Sequence, residues 1–140
     1  MNRMTWVALA PLLLSTAMIF RTFIYGSQSY VEVITVSLLL SAPLIFTFVL
    51  VFLFCRDSVS DRYELLGTVA ICAHFFTALL HLFWNGFMLT DVVNKDELGP
   101  AQGYTGLILW VGSVKTMLLG LVVGLCLHYL PRLFRKAAVR

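Results

Sequence analysis

Charge is scarce in this chain. Of 140 residues only 12% are charged, against 60% hydrophobic, and the mean hydropathy is +0.91. The acids fall in expected loops or at the ends of apolar runs, and no metal-spaced carboxylate pair is read among them. Cysteine is sparse too. Cys55, Cys72 and Cys126 are scattered through apolar runs. Without a C-x-x-C there is neither a redox pair nor a zinc knuckle. The paired loop cysteines of disulfide-generating quinone enzymes are missing as well. The three thiols read as small hydrophobes that pack. No nucleophile motif, glycine-rich phosphate loop or nucleic-acid signature is present.

What fills the chain is apolar sequence. A soluble domain of this size cannot bury so much of it. Four runs stand out, at about 5–24, 31–55, 65–89 and 104–130, each long enough to cross a bilayer at about 20 residues per span. The expected fold is all-α: a polytopic membrane protein forming one four-transmembrane-helix bundle, with a short basic tail at 131–140. In the first run Ser15-Thr16-Ala17 resembles a cleavage site. The apolar stretch continues through Met18-Ile19-Phe20, so the run is expected to stay as a helix. The second run holds Ser37 and Ser41 on one face, then Pro43 near its middle.

The third run carries the oddest residues. Wound at 100° per residue, it sets His74, His81, Asn85 and Gly67 on one stripe, with Ala70, Thr77 and Ala78 beside them. Cys72, Phe76, Leu79 and Phe83 lie opposite. Lipid cannot satisfy the polar stripe, so this helix needs protein neighbours there.

The fourth run has its own pattern. Gly112, Thr116, Gly120 and Gly124 recur every four residues. Such a small-xxx-small ladder lets two backbones approach closely and gain packing that lipid cannot match. The partner could be in the same chain or in another copy. Arg132-Leu133-Phe134-Arg135-Lys136 follows Pro131 and suits an anionic membrane surface.

The positive residues predict orientation. Arg3, Arg56, Arg62, Arg132, Arg135, Lys136 and Arg140 fall on one side. The other receives Arg21 and the acidic loop with Lys95. Both termini are therefore expected in the cytoplasm, in a bacterial inner membrane.

Lys115 is the most expensive residue, since an ammonium near the middle of a span costs a few kcal/mol, about 2.5–3.5 on insertion scales. It projects about 120° from the glycine ladder. His81 is expected at a similar depth, with Asn85 one turn further out and Arg21 also in the outer half. Arg21, His81, Asn85 and Lys115 are thus candidates for one outward-facing pocket for an anion or a lipid headgroup. The alternative is that Lys115 snorkels outward or reaches Asp91. His74 and His81 stand about 10 Å apart on one helix and cannot share an iron. Each would need a partner histidine, and His128, near the cytoplasmic end, is awkwardly placed.

Two classes of function remain. The first is non-catalytic: a small inner-membrane protein acting through helix packing, as a homo-oligomer or a subunit of a larger membrane complex. A pore or permeability effector, a toxin-immunity or antiphage protein and an assembly factor are roles of this kind. Its partners would be membrane lipids and membrane proteins, with no cofactor and no nucleic acid. The second is a membrane enzyme or electron carrier holding haem, quinone or lipid around His74, His81 and Lys115.

Overall fold

The computed structural model describes residues 3–24, 29–55, 61–94 and 101–138, with side chains except at 23, 61–63, 88–94, 101–105 and 132–138. Four helices follow in order: α1 (Arg3–Ile24), α2 (Tyr30–Phe54), α3 (Asp61–Asn94) and α4 (Ala101–Ala138). All four are long and apolar enough to cross a membrane. Of the side chains expected to set the orientation, Arg3 is exposed. Arg56, Arg62, Lys95, Arg132, Arg135, Lys136 and Arg140 lie outside the described side chains.

The helices end where local chemistry lets them. Ser29 precedes α2 with extended backbone at φ −133 and ψ 121, and its carbonyl accepts the first helical bond from the Val33 N–H at 3.2 Å. At the other end the Cys55 N–H donates to the Val51 carbonyl at 2.9 Å. α3 and α4 outrun their apolar stretches. α3 continues past Leu89 to Asn94, and α4 begins at Ala101, so positions 90–94 and 101–103, beyond the apolar runs, are helical. α4 also passes through Pro131 to Ala138. Proline removes one backbone donor there, but the helix on either side supplies the remaining bonds. Hydropathy marks the stretch that suits lipid, and helical hydrogen bonding need not stop with it.

Among the described residues α3 packs on each of the other three helices, and α2 does the same, while α1 and α4 do not pack on each other. The cross-section is therefore a rhombus. α2 and α3 form its short diagonal, and α1 and α4 its far corners.

Burial is inverted relative to a soluble bundle. Ser15, Ser41, Thr47, Thr77, His81 and Ser113 are fully enclosed, while Trp6, Phe75, Phe83 and Leu107 are more than half exposed. Two apolar clusters flank the polar layer. One joins Ala8, Val51 and Ala70. The other joins Ile19, Leu40 and Leu109, with Trp84 against them.

The glycines of α4 meet α3 backbone to backbone. A Cβ at Gly120 would lie 2.5 Å from the Ala73 Cα, and one at Gly124 would lie 2.7 Å from the Val69 Cα. At Gly112 the neighbour is only the Leu80 Cδ2, at 3.1 Å. Thr116 folds its hydroxyl back onto its own helix, its one proton shared between the Gly112 and Ser113 carbonyls at 3.1 and 3.0 Å. The ladder thus runs antiparallel along α3 within the same chain.

That geometry separates the glycines. Gly120→Ala and Gly124→Ala push backbone against backbone and should each cost about 1–3 kcal/mol by overpacking. Gly112→Ala meets the end of a flexible leucine and should cost clearly less. Denaturant unfolding of the three variants in detergent measures this. Equal midpoints for Gly120→Ala and wild type would mean that α3 and α4 are not so close.

Candidate functional site

The stripe on α3 meets a different helix at nearly every polar atom. His81 is fully buried. Its Nδ1 faces the Ser15 Oγ of α1 at 3.2 Å, and its Nε2 faces the Ser113 Oγ of α4 at 2.8 Å. Asn85 joins the group by donating from Nδ2 to the Ser15 Oγ at 2.9 Å.

The proton positions follow from counting donors. The Ser113 hydroxyl has one proton and donates it to the Leu109 carbonyl at 2.6 Å. Toward His81 it can then only accept, so Nε2 carries the ring proton. Nδ1 is left as an acceptor and takes the Ser15 proton. Asn85 to Ser15 to His81 to Ser113 to the Leu109 carbonyl is therefore one directed chain, with each hydroxyl used once as donor and once as acceptor. α1 and α4, which do not touch, are tied together through the His81 ring.

His74 makes a second tie two turns away. Its Nε2–H donates to the Ala8 carbonyl of α1 at 2.9 Å. Its Nδ1 lies 3.0 Å from the Thr47 Oγ1 of α2, which also stands 3.0 Å from the Leu44 carbonyl. The ring of Phe48 tilts against it at 6.2 Å. A carbonyl of α1 in mid-helix is already bonded within its helix and accepts this extra proton with its second lone pair. Both ties to α1 join residues 66 positions apart in sequence. The parallel helices α1 and α3 thus meet in one register repeated after seven residues, the heptad spacing of packed helices. Between α1 and α2, Thr16 and Ser41 add a bond of 3.2 Å. Thr77, on the stripe, is buried but donates to the Ala73 carbonyl of its own helix at 2.8 Å.

The four pocket candidates divide. His81 and Asn85 come together through Ser15. Arg21 and Lys115 are both exposed. Lys115 follows Ser113 by two residues, about 200° around the helix, so it projects from the far side of α4. His128 is buried near the other end of α4, with its ring edge-on to Tyr129 at 5.2 Å. Sequence reading missed Ser15, Thr47 and Ser113. Each is a single hydroxyl inside an apolar run, a signal shared with Thr35, which is exposed and bonds its own helix. Ser15 was hidden by its likeness to a cleavage site.

Chemically the arrangement is closed. All four ring nitrogens of His74 and His81 face a polar atom on another helix, with the single Thr47 proton shared between His74 Nδ1 and the Leu44 carbonyl. The directed chain starts at a carboxamide and ends at a backbone carbonyl, and neither exchanges protons near neutral pH, so the chain has no terminus for proton transport. Among the described residues no group of three His, Cys, Asp or Glu side chains could hold a metal ion, and the three cysteines are free thiols. Among the described residues the buried side-chain polar atoms without a partner are the Ser37 Oγ and the Trp84 Nε1.

The site thus belongs to a four-helix bundle with a polar, hydrogen-bonded interior. Compared with family models, curated proteins and solved structures, the chain matches none.

Ser113→Ala strands the Nε2–H of His81, and Ser15→Ala strands both its Nδ1 and the Asn85 amide. Each should destabilise by about 1–3 kcal/mol. Thr77→Val removes only a bond within α3 and should cost less than either. The measurement is denaturant unfolding in detergent. If Ser15→Ala and Ser113→Ala prove no worse than Thr77→Val, the interhelical chain is not what holds the helices.

Proposed function

We propose that this chain is a small multi-pass protein of a bacterial inner membrane, with both termini cytoplasmic. It acts through helix packing rather than catalysis, as a homo-oligomer or as a subunit of a larger membrane complex. The observation that carries this reading is the polar stripe of α3: both of its histidines spend both ring nitrogens on neighbouring helices. Iron or another metal at either ring would first have to break one of those bonds. Apolar side chains on the outside support burial in lipid or against other membrane helices. α4 supports a packing role most directly, because only 17% of its spanning window is buried within the chain. An exposed apolar helix at a corner of the bundle is available to another chain. Lipids would fill whatever surface a protein partner leaves.

The reading with a bound cofactor has one observation in its favour. Trp84, three residues after His81, carries a buried indole N–H without an acceptor, and the Ser37 hydroxyl is also unpartnered. A quinone carbonyl or a lipid ester would suit such donors.

Mass and absorbance of the particle purified in mild detergent separate the two. Packing predicts a protein mass above the 15.7 kDa of one chain, from extra copies or a co-purifying membrane subunit, and no visible or quinone absorbance. A monomer with a Soret band or a stoichiometric quinone would overturn it.

A further inference from the structure

We propose that the exposed face of α4 centred on Lys115 docks a transmembrane helix of a different membrane protein, one carrying an aspartate or glutamate at the level of Lys115. The inference rests on the packing role above and narrows it from any partner to an acidic one.

Lys115 lies inside the spanning segment Gly106–Pro131, is exposed, and has no hydrogen-bonding or ionic partner among the described residues. The antiparallel register of α3 and α4 fixes its depth. Gly120 faces Ala73, Gly124 faces Val69 and Ser113 faces His81, so Lys115 is level with Ala78. Asp91 stands about 20 Å further along α3, well beyond the reach of a lysine side chain. On α2 the contact of Gly106 with Leu40 puts Glu32 about 25 Å from the level of Lys115. The Gly106 end of the span is itself about 13 Å away along the helix.

A second copy cannot supply the missing charge. Every acid of the chain is at a helix end or in a connection, and α4 has none. Two copies packed on this face about a two-fold axis would oppose lysine to lysine. Charged groups inside a membrane pair with one another or line water, so the complement belongs to another protein. The face is built for a helix as well as for a charge. Ile108, Val111, Lys115, Leu118, Val122 and Leu125 alternate at spacings of three and four, and all are exposed. That is a heptad seam on the side of α4 away from α3, with one lysine as its sole polar residue. A single polar group in such a seam fixes partner and register.

The test uses the full chain in phosphatidylcholine vesicles with synthetic Leu-Ala helices of spanning length. One carries a single Glu in its apolar stretch and its control carries Gln. Association is read by energy transfer between labelled protein and labelled helix. The Glu helix should bind at least about tenfold tighter than the Gln helix. Lys115→Met and Lys115→Gln should erase that preference, and Lys115→Glu should transfer it to a helix bearing Lys. Equal binding of the Glu and Gln helices, or a preference that survives Lys115→Met, overturns the proposal. So does a homodimer that dissociates on Lys115→Met, which makes a second copy the occupant. Retention of phosphatidylglycerol in native mass spectra that vanishes with Lys115, without helix discrimination, overturns it in favour of a lipid phosphate. Alkaline extraction of the same vesicles distinguishes the two levels of failure. Protein that stays in the membrane but ignores the Glu helix loses only this proposal, whereas protein that is extracted loses the membrane reading beneath it.

Discussion

Two imidazole rings on α3 decide how this bundle goes together. Between helices in lipid there is no hydrophobic driving force comparable to that in water, because the tails are as apolar as leucine. Association then rests on close backbone packing and on polar groups with nowhere else to bond. Here the two mechanisms occupy different sides of one helix. Gly120 and Gly124 hold α4 against Ala73 and Val69 by proximity. His74 and His81 hold α1, α2 and α4 by hydrogen bonds. Each interhelical bond contributes modestly, about 0.6 kcal/mol on average where such bonds have been measured in membranes. Their directionality matters more. The bonds made by Ser15 and Ser113 admit one tautomer of His81 and one rotation of each helix about its axis, which apolar packing alone would leave loosely specified.

The organising role of α3 was legible because its signal is strong. Two histidines and an asparagine in an otherwise apolar run can share a face only at certain spacings, and 74, 81 and 85 satisfy them. The glycine ladder was equally plain, since small residues every four positions have a steric reason to be there. The partners were less legible. Ser15, Thr47 and Ser113 are single hydroxyls, which also serve as space-savers and as donors to their own helix, as Thr77 does. Pairing them with the right histidine needs the register between helices, which periodicity along one chain does not contain. Lys115 shows the same limit. Depth alone grouped it with His81 and Asn85. In the fold it projects from the opposite side of α4 from Ser113, because which face of α4 meets α3 is decided by the glycines.

The division of polar residues into enclosed and exposed has a consequence for function. His74, His81, Asn85, Ser15 and Ser113 are hydrogen-bonded inside, between helices. Lysine is left outside, in a span, at a corner of the rhombus. An interior whose histidines are hydrogen-bonded to neighbouring helices, beside a lysine exposed in the middle of an apolar helix, is the arrangement that the proposed packing role uses. The proposed role follows from that arrangement rather than from any single motif.

The central claim is that the α3 histidines are structural ties with defined protons. Solid-state NMR of histidine-labelled protein in lipid bilayers tests it most directly, through the nitrogen shifts of each ring and their correlation to bonded hydroxyl or carbonyl partners. The account predicts that His81 has a protonated Nε2 and an unprotonated Nδ1 in a single rigid state, with Nε2 of His74 also protonated toward Ala8. A mobile His81 ring, a mixture of tautomers, or rapid exchange of its proton with water would contradict it.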